Sequence, residues 1–277
     1  MSKNPPVVMP VELIEFYQAL IKLQTEIGEL LVKPQWQIDE AQAFQHQYQG
    51  KPWLEIVHLG IEPPVFARVW RQMAEFLAEQ RPPVREEIER ILATQNELDF
   101  GELATRAVQQ DEGYLAGKAA RLGVNSSLFF LLAEHAVRPF MRGAALVLAP
   151  YIDQERWLKD VCPVCGKKAS ISKLREEDGK RVMFCPHCST EWLYRHLACP
   201  QCGNDDHQSI RFFTVEGYDA HQVYVCEKCK GYIKTYDEKK GGPLNNIELE
   251  DVKTIYLDML AEREGYVNDS LQKKLLH

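Results

Sequence analysis

The sequence predicts a multidomain fold of α plus small β: a helical N-terminal domain, two tandem cysteine-built β modules, and a closing C-terminal helix. Three observations carry this. Apolar residues recur at helical spacing up to about Trp157. Beyond it, β-branched and aromatic residues with short charged turns take over. All eight cysteines lie in that second part, as four Cys-x-x-Cys pairs. The expected boundaries are 1–157 for the helical domain, 158–197 for the first module, and 198–277 for the second module with its closing helix.

The first helix is read from "VELIEFYQALIKLQTEIGELLVK", where Leu13, Phe16, Leu20, Leu23, Ile27 and Leu30 form one stripe that ends near Pro34. That stripe suits a helix docked on its own domain's core, and a homodimer seam is the alternative. "VFARVWRQMAEFLAEQ" forms a second helix, stopped by "RPP", and "VREEIERILATQ" a third. Asp99 and Asp111 stand where two short helices need N-caps. From Asn125 to Leu148 apolar residues cover most of the circumference, which predicts a central buried helix capped by Asn125, Ser126 or Ser127. Within it Glu134, Arg138 and Arg142 share a narrow strip, and Pro139 removes a backbone donor. Charges on a buried helix need partners, so the strip is read as an ion-pair row or a rim, with a partner groove as the alternative.

In the second part, "EEDGK" reads as the turn of one hairpin, and "VEGYDA" leads into "HQVYVC" as another. The tail "ELEDVKTIYLDMLAEREGY" predicts the closing helix, with Val252, Ile255, Tyr256, Met259 and Leu260 on one face.

Charge narrows the partners. The net charge is −7, and residues 1–157 hold 15 Lys/Arg against 21 Asp/Glu. Neither half has the basic excess that binding to a phosphate backbone requires, so no nucleic-acid partner is expected. The most apolar stretch contains Glu134, His135, Arg138 and Arg142, which argues against membrane insertion. The N-terminus lacks the apolar core of a signal peptide, and the expected location is the cytoplasm.

In that compartment thiols stay reduced, so paired cysteines point to metal or redox chemistry. Two residues between cysteines let both sulfurs converge on one ion from a tight turn. "CPVCG" and "CPQCG" follow the second cysteine with a glycine suited to left-handed backbone; "CPHCS" has Ser189 there, and "CEKCKG" delays its glycine to Gly231. Nineteen residues separate Cys165 from Cys185 and 23 separate Cys202 from Cys226, each enough for a hairpin, whereas ten separate Cys188 from Cys199. The simplest pairing puts Cys162, Cys165, Cys185 and Cys188 on one metal, and Cys199, Cys202, Cys226 and Cys229 on a second. Such knuckles belong to zinc ribbons and rubredoxins alike, and four thiolates accept zinc or iron. A thioredoxin-type pair would need a βαβ context, which is absent. A catalytic zinc keeps an open position, which two four-thiolate shells do not. His187 is expected to face solvent, and His196, His207 and His221 read as ordinary surface or packing residues.

The order "LAEHAVRPF", "YIDQERW", "CPVCG", "RVMFCPHCSTEWLYRHLACPQCG", "CEKCKGYIK" and "LDMLAEREGY" resembles the formate dehydrogenase accessory proteins of the FdhE family, over nearly the whole chain. The resemblance implies a cytoplasmic maturation factor that contacts the catalytic subunit of formate dehydrogenase without being that enzyme. It also implies tandem rubredoxin-like modules with these eight cysteines as ligands of two metal ions. The residues agree on one point: no nucleophile–base pair, phosphate-cradling loop or carboxylate dyad is legible. On the strap between the quartets, Trp192, Tyr194 and Arg195 are candidate partner-binding residues, because interfaces favour these types. The alternative has Trp192 covering the first metal and Arg195 offsetting thiolate charge. Rival functions are a rubredoxin-like electron carrier, a zinc-ribbon protein associated with nucleic acid, and a structural subunit of a larger assembly.

Overall fold

Asn125, Asp99 and Asp111 begin their helices as their side chains dictate. In the computed structural model, which describes residues 9–270, each accepts a hydrogen bond from the first turn it precedes. The N-terminal stretch read above for a signal peptide lies partly in 1–8, outside the described residues. The helices of the first part are α1 (Val11–Leu30), α2 (Glu40–Gln47), α3 (Pro63–Gln80), α4 (Arg85–Ala93), α5 (Phe100–Gln109), α6 (Glu112–Leu122), α7 (Ser126–Leu148) and α8 (Gln154–Trp157). The second part contains β1 (Ile171–Leu174), β2 (Arg181–Phe184), β3 (Glu191–Tyr194), β4 (Ile210–Thr214), β5 (His221–Cys226) and β6 (Tyr232–Asp237). It closes with α9 (Glu238–Gly241), α10 (Ile247–Lys253) and α11 (Ile255–Arg263). No described helix is long and apolar enough to cross a membrane.

The chain forms two compact units. The helical unit takes Ala19–Gln35 and Leu59–Val147. In it, prolines at the first helical positions start α3, and Phe66, Val69, Trp70, Met73 and Leu77 recur at three- and four-residue steps to bury one face. Trp70 packs edge-on to Phe129 of α7 at 5.2 Å, and Phe66 lies 5.9 Å from Phe140. Each such side chain contributes roughly 1.5–3 kcal/mol on burial. α7 is the buried centre that its composition predicts: Phe129, Leu132, Ala136, Val137 and Met141 are inaccessible to solvent.

Pro139 leaves the carbonyl of His135, four residues earlier, without its helical donor. Gln24 of α1 fills the gap, donating from Nε2 to His135 O at 3.2 Å and contacting the ring Nδ1 at 3.2 Å. This explains a fully buried glutamine between Leu20 and Ile27. The apolar stripe stops short of its predicted end, since Leu30 is exposed. Glu134 and Arg138 are buried, and Arg142 donates to Thr25 Oγ1 at 3.4 Å.

The sheet unit takes the chain up to Gln18, Trp36–His58 and Leu148–His277. Its strands form one six-stranded sheet in the order β3-β2-β1-β6-β5-β4. Two antiparallel three-stranded halves, one per cysteine module, join through the parallel pair β1–β6. At that seam the buried hydroxyls of Ser172 and Thr235 meet at 2.9 Å. Both hairpins fall where the turn residues predict.

The closing segment is two helices rather than one. The break comes at Thr254, whose hydroxyl donates to Glu250 O at 2.7 Å. Tyr256 is buried as expected, but Met259 is exposed, and Leu257, Asp258 and Ala261 complete the buried face. The reason is polar. Lys234 of β6 is buried and binds Asp258 and Asp251, each at 2.7 Å, while Tyr232 donates to Asp258 at 2.9 Å. Turning Asp258 inward to meet Lys234 turns Met259 out.

Candidate metal centres

The eight cysteines form two quartets, Cys162/Cys165/Cys185/Cys188 and Cys199/Cys202/Cys226/Cys229, with the sulfurs of each quartet within 4.8 Å of one another. None is in a disulfide. Each quartet joins the two knuckles of one hairpin, as the gap lengths predict.

All four knuckles share one backbone device. The first cysteine donates its N–H to the carbonyl five residues on: Cys162 to Lys167, Cys185 to Thr190, Cys199 to Asn204 and Cys226 to Gly231, at 2.7–2.9 Å. The residue after the second cysteine donates back to the first cysteine's carbonyl. That residue must be left-handed, and it is: Gly166, Ser189, Gly203 and Lys230 have φ of 73°, 59°, 74° and 58°. The glycine missing from "CPHCS" and "CEKCKG" is therefore a local cost of roughly 1–2 kcal/mol rather than a different geometry. Gly231 serves another need, because a Cβ there would sit 2.6 Å from the Gln201 side chain.

The donor set fits a tetrahedral ion. Four sulfurs about 2.3 Å from a metal lie about 3.8 Å apart. The structure has 3.5 Å for Cys162–Cys188, 3.4 Å for Cys165–Cys185, 3.6 Å for Cys199–Cys229 and 3.9 Å for Cys202–Cys226. Further donors steady the sulfurs: the Gln201 and Gly231 N–H groups on Cys199 and Cys229 at 3.4 and 3.2 Å, and the Thr190 hydroxyl 3.0 Å from Cys188. Without a metal such crowding is unfavourable to charge. Burial pushes the Cys162, Cys165 and Cys199 thiols up, and Cys229 to about 11. Burial also opposes ionisation of Cys185, but hydrogen bonds from the neighbouring thiols outweigh it and hold that group well below the usual range. Four thiolates in one shell need a cation, which on binding would release protons.

The quartets differ in cover. Cys162, Cys185 and Cys188 are buried, whereas Cys202 and Cys229 are exposed. The segment before Val57 walls the first quartet. Trp53 and Leu54 donate backbone N–H groups to Pro163 and Val164 inside the first knuckle, both at 2.9 Å. His46 is stacked between Trp53 and Trp157 at 4.4 and 4.7 Å. His187 is buried, contrary to the solvent-facing position expected for it.

The strap residues divide. Trp192 is buried and donates from Nε1 to Lys159 O at 2.9 Å; Tyr194 is buried and donates to Cys199 O at 3.1 Å. Arg195 is exposed and binds Asp205 and the carbonyl of Gly203, both at 3.2 Å. Three features are not predicted from the sequence: the wall from residues 46–54, the knuckle-closing residues Thr190 and Asn204, and the buried Arg181. The position two residues after each second cysteine was the available signal for the closing residues.

The model of the FdhE central domain matches residues 161–196, which hold the first quartet and the strap up to His196. A protein named FdhE homologue from Aquifex aeolicus is 27% identical over 259 residues, covering 92% of this chain and 83% of that one. Its namesake in Shewanella oneidensis is 25% identical, covering 100% and 85%. The crystal structure of the FdhE protein from Pseudomonas aeruginosa superposes with a TM-score of 0.61 at 17% identity, covering 96% of this chain and 97% of that one, and shows the same fold. The chain is FdhE-like. The two FdhE homologues align with most of the chain.

Proposed function

We propose that the chain is a cytoplasmic maturation factor for formate dehydrogenase that binds the enzyme's catalytic subunit and catalyses no reaction itself. The observation that carries this reading is the closure of both quartets. Four protein sulfurs complete a tetrahedral shell and leave no position for water or substrate. Two ions, zinc or iron, would be held by the eight cysteines and would clamp both halves of one sheet into a rigid platform. On the strap, Arg195 and Leu197 offer exposed side chains to a partner, whereas Trp192 and Tyr194 hold the platform from within.

The test is capture of the formate dehydrogenase catalytic subunit by the tagged full-length chain, with metal analysis of the bait. The wild type is expected to capture the subunit and carry two ions; Cys185→Ser is expected to lose the first-quartet ion and the capture together. Capture that survives with the metal halved would break the link between platform and partner.

A one-electron carrier is the second reading, favoured by the exposure of Cys202 and Cys229, which brings the second centre to the surface. Iron in that centre with a reversible one-electron couple would support it, and a zinc-only protein would exclude it.

A further inference from the structure

Arg181 is among the largest fully buried side chains of the chain, 1% exposed. It stands on β2 between Leu174 of β1 and Tyr194 of β3. Its guanidinium lies 4.2 Å from the centroid of the Tyr224 ring, and Nη1 donates to Ser172 Oγ at a long 3.5 Å. Nε and Nη2 are buried with no hydrogen-bond partner. An arginine so placed, without a carboxylate, is several kcal/mol unfavourable unless some other negative charge compensates it.

Burial works against the charged guanidinium, and the ring it stacks on leads to the second quartet. Cys199 belongs to the second quartet. Tyr194 donates to the Cys199 carbonyl, and Tyr224 lines a small cavity together with Cys199 and Cys226. The Tyr224 ring therefore lies against the guanidinium on one side and the cavity beside Cys199 and Cys226 on the other. A divalent ion held by four thiolates leaves a net charge of about −2 to be balanced, and a buried cation beside it does this without occupying the shell.

We propose that Arg181 is a positioning residue: the buried counter-cation of the second quartet, strengthening its hold on a divalent ion through charge rather than through packing. This rests on the reading that both quartets bind metal. It also gives a role to the Tyr224–Arg181 stack, which the accessory function leaves unused.

The test is zinc titration of the full-length chain against a competing chromogenic chelator, with the second-quartet equivalent identified as the one lost in Cys202→Ser. Arg181→Met is expected to weaken that equivalent by roughly 10–100-fold, the scale typical of groups just outside a metal's ligand shell. Arg181→Lys is expected to recover most of the loss, because it restores charge without shape. The other equivalent stays at its wild-type affinity in both variants, which also shows that the sheet is folded. Wild-type affinity in Arg181→Met would overturn the proposal. So would equal loss in the Met and Lys variants, or equal weakening of both equivalents, since each points to packing. A wild-type chain that takes up fewer than two zinc ions would fail at the earlier step, overturning the metal reading itself.

Discussion

The first and second quartets have one backbone design and opposite surroundings. In the first, a segment more than 100 residues earlier in sequence supplies the wall, with Trp53 and Leu54 bonded into the knuckle and His46 held between two indoles. In the second, Cys202 and Cys229 face solvent, and support comes from one side, where α11 packs on β5 and β6 around Val223, Val225 and Leu257. The difference separates what a cysteine quartet needs from what its neighbours add. Two knuckles joined by one hairpin bring four sulfurs together, while the cover determines how freely solvent reaches them.

That contrast is open to direct attack. The largest effect concerns reactivity: in metal-loaded protein, alkylation followed by peptide mass spectrometry should label Cys202 and Cys229 before Cys162, Cys185 or Cys188 is touched, because access governs attack on a thiolate. Equal labelling would remove the distinction. Next, Trp53→Ala should destabilise the sheet unit by roughly 3–5 kcal/mol in denaturant unfolding, the cost of emptying a fully buried aromatic site. It should also speed alkylation at the first quartet and leave the second unchanged.

A smaller change in the other unit serves as a control. Gln24→Leu strands the carbonyl freed by Pro139 and should cost roughly 1–3 kcal/mol in the helical unit, with metal content unaltered. The smallest effect is a slope. Burial holds His46 below its usual 6.5, although its bond to the Lys51 carbonyl opposes this, so the neutral ring is the folded form. As pH falls below about 6.5, the unfolded chain takes up a proton that the folded chain refuses, and stability drops. His46→Phe should flatten that part of the pH–stability curve, measured by thermal unfolding from pH 7 to 5.5.

Much of this architecture can be read from local signals. Asp99, Asp111 and Asn125 announce helix starts because the capping oxygen lies within three residues of the donor it meets. The cysteine spacings name the quartets because each is closed by a single hairpin. Features that depend on distant partners are hidden. Nothing near Ile171–Leu174 indicates a parallel partner at Lys234–Asp237, and nothing near Trp53 indicates a knuckle at Cys162. Met259 looks apolar enough to face inward until the Lys234–Asp258 pair sets the rotation of α11. His187 misleads for a related reason: a knuckle tip is exposed only when no other segment covers it.

The central claim is that each quartet grips one ion and that the clamped sheet is the working platform. Native mass spectrometry of the full-length chain, purified without chelator, with a thiol count before and after denaturation, tests it most directly. The account predicts two metal ions per chain, with thiols released only as those ions leave. A folded chain with fewer than two ions, and its cysteines free or joined in disulfides, would contradict it.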